Sequence, residues 1–180
     1  NMNRIFSYIL AFCLFVCLPI QASVEIKSLK LTTGNGIADN SIRYVYQDSK
    51  GFIWMATLNG LSRYDGNSFV SFRPEPGKMS LSDHRIAELY EDKNGFLWIA
   101  TTPNLYNCYD LQKDCFVDFT GCGEHTQYYK DHLETSNGDI WLWLDGNGCR
   151  KVMYRDGAFT SEVYKKEKGR VFLISESVRG

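Results

Sequence analysis

From residue 42 onward, short apolar runs alternate with clusters of Gly, Asn, Asp and Ser, the spacing of strands joined by tight turns. Ile42–Gln47 reads as a strand and Asp48–Gly51 as its turn. There Gly51 supplies a positive φ, and Asp48 can hydrogen-bond the backbone two residues on. Phe52–Thr57 is nearly continuous in apolar residues, which predicts a strand covered on both faces. Asn59-Gly60 turns the chain into Leu61–Tyr64, and Asp65-Gly66-Asn67 turns it again into Phe69–Phe72. Outside residues 1–22, no stretch longer than a few residues has helical periodicity.

The same pattern then recurs. Gln47–Thr57 aligns with Glu91–Thr101 and with the more worn Glu134–Leu144. The turn glycines stand at 51, 95, 138 and 180, spaced 44, 43 and 42 apart, and tryptophans at 54, 98 and 141 keep the register. A period near 43 with four strands per unit is that of a propeller blade. The fold class expected is all-β: about three four-stranded antiparallel blades (41–72, 85–119 and 128–164), with a fourth begun by Val171–Ile174. The connectors repeat as well, Ile37–Ile42 matching Leu81–Ile86. Ile26–Thr32 therefore reads as an outer strand, a clasp for the last blade of a ring. One blade cannot cover both of its faces, so Trp54, Trp98 and Trp141 are expected to pack between neighbours rather than on a ligand. Residues 23–180 alone, with two uncovered faces, should be marginal and prone to association.

The N-terminal residues read as an address. Arg4 precedes Ile5–Ile20, an apolar stretch too short for a typical ~20-residue membrane span, and Gln21-Ala22 offers a small residue for cleavage. Residues 1–22 are thus expected to be a signal peptide, cleaved after Ala22, and the protein to be exported to the periplasm, its parent anchored in the inner membrane. An uncleaved anchor is the competing reading. The chain is 44% hydrophobic, 14% aromatic and 23% charged, with net charge −1, a globular composition without the basic footprint of a nucleic-acid binder.

Six cysteines include Cys13 and Cys17 in the leader, leaving Cys108, Cys115, Cys122 and Cys149 without a Cys-x-x-Cys pair. Disulfides and free buried thiols both stay open. If Asp110–Lys113 is a hairpin loop, Cys108 faces Cys115 across the strands, and a disulfide there is the pairing to test.

No catalytic, metal or cofactor site is identified. Asp48–Gly51 and Asp92–Gly95 have the Asp-to-Gly spacing of turn caps, and differ from the box of propeller sialidases, in which those two residues are two apart. His84, His125 and His132 lack zinc spacing, and no nucleophile elbow, P-loop or dinucleotide fingerprint occurs. Lys165–Lys168 reads as a solvated loop. Arg73–Ser82 is a loop able to contribute ligand contacts, although the ligand-binding residues stay unknown.

Asn40, Ile42, Asp48, Gly51, Trp54, Thr57, Gly60-Leu61 and Tyr64-Asp65 resemble the two-component regulator propeller repeat. In the second unit the matching positions are Ile86, Asp92, Gly95, Trp98, Thr101, Leu105 and Tyr109-Asp110, with Asn104 where Gly60 stands and one residue inserted. The third unit departs from the pattern at Thr135 and Leu144, while keeping Gly138 and Trp141. The resemblance implies the periplasmic sensor region of hybrid two-component regulators of Bacteroidetes. These typically carry two propellers, an immunoglobulin-like domain, a transmembrane helix, a histidine kinase and often a DNA-binding output, and usually sense oligosaccharides. It implies as partners an oligosaccharide and the remaining blades and signalling domains, with a homodimer of the parent left open. The alternatives are a polysaccharide-active propeller enzyme, with its active groups in other blades, or a protein-interaction scaffold.

Overall fold

Three antiparallel sheets follow one another along the chain. The first joins β1 (Ile42–Gln47), β2 (Ile53–Thr57), β3 (Gly60–Tyr64) and β4 (Phe69–Phe72) in that order. The second joins β5 (Ile86–Glu91), β6 (Phe96–Thr101), β7 (Tyr106–Asp110) and β8 (Cys115–Val117). The third joins β9 (Tyr129–Glu134), β10 (Ile140–Leu144), β11 (Gly148–Arg155) and β12 (Ala158–Lys165). The computed structural model describes residues 30–120, 128–144 and 148–165. The chain divides into two units, Asn1–Lys30 and Leu31–Gly180, and every described strand belongs to the second. The expected signal peptide at 1–22, Cys122, His125 and the expected start of a fourth blade at 171 lie outside the described residues.

Of the stretch 26–32 expected as a clasp strand, only Lys30–Thr32 is described. It is irregular chain leading into a 3-10 turn at Thr33–Asn35, and it pairs with none of the three sheets. A strand needs a partner ladder to be one. Lys165, expected in a loop, instead ends β12, where it pairs with Gly148.

Successive side chains of a strand point to opposite faces of its sheet. In β6, Leu97 and Ile99 join the cluster on one side with Trp54, Leu61, Ile86 and Leu89. Phe96, Trp98 and Ala100 join the cluster on the other side with Ile140, Leu142 and Val152. Both faces of the middle sheet are therefore covered, which is why β6 reads as an unbroken apolar run. These seams between consecutive sheets are the core.

Each first strand carries the same irregularity. The ladder slips between Ile42 and Tyr44, between Ile86 and Glu88, and between Tyr129 and Asp131. Arg43, Ala87 and Lys130 are thus extra residues at equivalent places, bulges that bend the strand and sharpen its twist. The connectors are fixed by polar contacts. Ala38 N–H donates to Ser62 Oγ at 2.8 Å, and Ser82 N–H donates to Asn107 Oδ1 at 2.9 Å, each tying a connector to the sheet that it enters. Gly60 N–H donates to the His84 carbonyl at 2.6 Å, tying the second connector back to the first sheet. Only glycine fits at position 60: its φ is +120°, and a Cβ would stand 2.5 Å from the Phe72 carbonyl oxygen.

Candidate ligand-contact site at the first seam

The repeated turn residues are occupied by the fold. Gly51, Gly95 and Gly138 have φ of 88°, 82° and 82°, the left-handed region that their turns need. Asp48 Oδ1 accepts from the N–H groups of Lys50 and Phe52 at 3.0 and 2.9 Å, and its Oδ2 accepts from Trp54 Nε1 at 2.7 Å. Asp92 does the same for Asn94, Phe96 and Trp98, at 2.9, 3.0 and 2.8 Å. One carboxylate thus caps a turn and orients the tryptophan that fills the next seam. Burial pushes Asp92 above the usual carboxylate range, opposed by the Trp98 indole and the two backbone donors.

The third unit lacks that carboxylate, and its geometry changes accordingly. Thr135 Oγ1 accepts from Asp139 N–H at 3.1 Å. Trp141 lies against Tyr164, at 5.3 Å between ring centroids, and beneath Lys151. Asp139 binds Lys151 Nζ at 2.9 Å and also pairs with Arg155. Burial acts to raise the Asp139 carboxyl, but the two cations outweigh it and hold the group below its ordinary value.

Two polar devices escaped the sequence reading. The first is a bridge repeated at each seam. Glu91 Oε2 accepts from Ser49 N–H at 2.8 Å and from Tyr46 OH at 3.5 Å. Glu134 accepts from Lys93 N–H at 3.0 Å and from Tyr90 OH. The signal was present, since Gln47, Glu91 and Glu134 open the three aligned segments. The second device stands at the first seam. Arg63, its side chain 13% exposed, stacks over Phe52 at 4.8 Å, Trp54 at 5.4 Å and Phe72 at 5.8 Å, and pairs with Asp114. Tyr109 OH donates to Asp114 Oδ1 at 2.7 Å. The Arg63 and Tyr109 contacts hold Asp114 below its usual pKa, while burial and the Asp114 carboxylate push Tyr109 up.

Beside that pair lies a cleft of 220 Å³ whose walls include Phe72, Arg73, Glu75, Tyr109, Asp114 and Phe116. A neighbouring hollow of 340 Å³ is lined from Pro74 to Ser82. The loop Arg73–Ser82 is pinned at its start by Arg73 Nη2, which donates to the Ala38 carbonyl at 3.0 Å, and folds on itself where Glu75 N–H donates to Ser80 Oγ at 2.8 Å. Rigid aromatic walls with exposed charged groups at their rim can stack on and hydrogen-bond a polar organic ligand. Of the three histidines, His132 Nδ1 lies 3.2 Å from Tyr106 OH between the second and third sheets, and the His84 ring stands 3.8 Å from Asp83. Burial, with the carboxylates of Glu88 and Asp131, pushes Tyr106 up to about 12. Among the described residues, no group of three His, Cys, Asp or Glu is arranged to hold a metal ion.

The cross-strand cysteine pairing is corrected. Cys108 faces Val117 and Cys115 faces Asp110, and both thiols are free. The hairpin loop is Leu111–Asp114, one residue later than expected. Asp110 Oδ1 accepts from Gln112 and Lys113 N–H, and Asp114 adopts φ 58° to close the loop. Burial drives the Cys108 thiol well above its usual pKa. In the native protein, a disulfide-exchange reagent should therefore label Cys115, and should reach Cys108 and Cys149 only after unfolding. Peptide mapping of unreduced protein is the check, and a Cys108–Cys115 link would contradict this register.

Residues 36–59 and 80–102 match the family model described as two component regulator propeller. No curated protein matches the sequence. Among solved structures, the extracellular domain of BT3049 from B. thetaiotaomicron, described as a hybrid two component system, aligns over 76% of this chain. Its identity is 23% and its TM-score 0.57. Two structures of the extracellular domain of BT4673 from the same organism, titled in one case a one component and in the other a hybrid two component system, are 28% identical. They align over 73% and 74% of this chain, with TM-scores of 0.51 and 0.52. This chain spans 20% of the length of each of those domains.

Proposed function

We propose that this chain, whose first two sheets carry two-component regulator propeller repeats, belongs to the ligand-sensing region of a two-component regulator. That region lies in the periplasm, recognises oligosaccharides, and signals to a histidine kinase elsewhere in the parent protein. The observation that carries this reading is the match of 36–59 and 80–102 to the regulator repeat. Its solved neighbours are titled as extracellular domains of regulatory systems, which supports the outward placement. The described residues contain no helix long and apolar enough to cross a membrane.

The chemistry of the seams favours recognition over turnover. The carboxylates of Asp48 and Asp92 each accept three hydrogen bonds from their own turn and tryptophan, so neither is poised to exchange protons with a substrate. Stacked sheets locked at their seams form a stiff frame, and the cleft and loop at Arg73–Ser82 are carried on it. A signal requires the sugar to favour one arrangement of the sensor over another, because equal affinity for both shifts nothing.

Calorimetry of the parent's whole extracytoplasmic region against a panel of oligosaccharides, with product analysis, is the test. Saturable binding with the sugars recovered intact is expected. Cleaved or unsaturated products would instead establish an enzyme.

A further inference from the structure

The side chains lining the 220 Å³ cleft are unevenly supplied with hydrogen-bond donors and acceptors. Apart from the Cys115 thiol, a weak donor, each side-chain donor has a partner within the fold. Ser71 Oγ donates to the Gly36 carbonyl at 2.8 Å, and Ser80 Oγ to the Glu75 carbonyl at 3.3 Å. Arg73 reaches the carbonyls of Ala38 and Asn59 through Nη2 and Nε, at 3.0 and 3.3 Å. The Tyr109 hydroxyl is held by Asp114.

The acceptors are not matched in this way. Glu75 and Asp114 are each more than half exposed. Lys78 Nζ donates to Glu75 Oε2 at 2.6 Å, and among the described residues Oε1 has no partner. Asp114 Oδ1 accepts from Arg63 and Tyr109, while Oδ2 has only the longer Arg63 Nη2 contact, at 3.4 Å. A carboxylate offers about four lone-pair sites, so both groups can accept more. The neighbouring cations are committed in turn: Arg63 to Asp114 and three ring faces, Lys78 to Glu75, and Lys50 to the Leu111 carbonyl. An incoming anion would have to break one of these pairs.

We propose that this cleft seats one ring of a neutral or amine-bearing sugar and turns away uronates. Its ligand must donate hydrogen bonds to Glu75 Oε1 and Asp114 Oδ2, with its apolar face on the half-buried rings of Phe72 and Phe116. An ammonium group gains most, because it brings three donors and a positive charge to two carboxylates. The inference rests on the sensor reading above, and adds where on this chain a sugar sits and which sugars are refused.

Cys115 lines the same cleft and is exposed, so its thiol reports occupancy. The probes are glucose and galactose, their 2-amino sugars and their uronic acids, each added to the parent's whole extracytoplasmic region. Cys115 labelling by an uncharged alkylating reagent is read by peptide mapping. The neutral and amino sugars should slow labelling saturably, and the uronates should not. Glu75→Gln removes one charge and releases Lys78. The affinity ratio of amino sugar to uronate should therefore fall about tenfold at low salt, and by less at high salt. Equal protection by uronates and neutral sugars overturns the proposal, as does a ratio unmoved by Glu75→Gln. Oligosaccharides that bind by calorimetry, while all six monosaccharides leave Cys115 labelling unchanged, overturn it and leave the sensor reading standing. If nothing binds by either readout, the proposal falls together with the reading beneath it.

Discussion

Trp98→Ala is expected to lower the free energy of unfolding by about 3–5 kcal/mol, the range for deleting a large buried ring. Trp98 is fully buried between the second and third sheets, edge-on to Phe119 at 5.0 Å and within one cluster with Ile140, Leu142 and Val152. Truncation leaves a cavity at a seam whose walls belong to two sheets, neither of which can close on it without breaking its own ladder. It also strips Asp92 of its indole donor, leaving two backbone N–H groups to hold a buried carboxylate.

Trp98→Phe separates the two effects, because it retains most of the ring volume and loses the hydrogen bond. Asp92 is already raised by burial, so losing a donor to its charged form raises it further. A carboxyl raised in the folded state adds stability below its unfolded pKa, about 4, and that contribution is lost as pH rises through the folded value. The phenylalanine variant should therefore be closer to wild type near pH 4 than at pH 7. Urea unfolding at both values is the measurement, and a defect independent of pH would remove Asp92 from the account. Trp141→Ala should cost less, since that ring is only half-buried and rests on Tyr164 and Lys151.

The parts of this fold legible in the sequence are those enforced by backbone geometry in every unit. Gly51, Gly95 and Gly138 had to adopt positive φ, and Trp54 and Trp98, three residues past the first two, had to reach a seam, so their spacing survives. The bulges at Arg43, Ala87 and Lys130 were invisible because the extra residue differs in type at each place and none is a Gly, Pro or Asn that would mark it. The β7–β8 register was missed by one loop position. It depends on which aspartate, Asp110 or Asp114, closes the turn, and both have the chemistry to do so. Arg63 and Asp114 are 51 residues apart on different blades, and Cys108 occupies the Arg63 place in the second sheet, so no alignment within the repeat could pair them.

That pair sets the other large expectation: Asp114→Ala should destabilise the protein by about 2 kcal/mol, below the ~3–5 kcal/mol of a fully buried pair. The reduction follows from exposure, since the Asp114 side chain is 59% exposed while that of Arg63 is 13% exposed. Without Asp114 the guanidinium remains among Phe52, Trp54 and Phe72 with its charge answered only by ring faces and the Tyr109 hydroxyl. Arg63→Met should recover part of the loss in the Asp114→Ala background, because its flexible apolar chain suits the same aromatic slot and leaves no charge to satisfy. The pH dependence has the opposite sign to that of Asp92. Asp114 is held below its ordinary pKa by Arg63 and then Tyr109, so its contribution is complete above the unfolded value of about 4 and drains away as pH falls through the folded value. The alanine variant should thus approach wild-type stability at pH 3 and fall furthest behind at pH 6. Asp114, the exposed member of the pair, also lines the cleft with Phe72, Glu75 and Phe116. A ligand seated there would contact Asp114 directly, so the oligosaccharide binding proposed for the parent's extracytoplasmic region, were it to use this cleft, should weaken in Asp114→Ala even at pH 6 in conditions where the fold is intact. Undiminished binding in a folded Asp114→Ala protein would move the contact surface away from this seam.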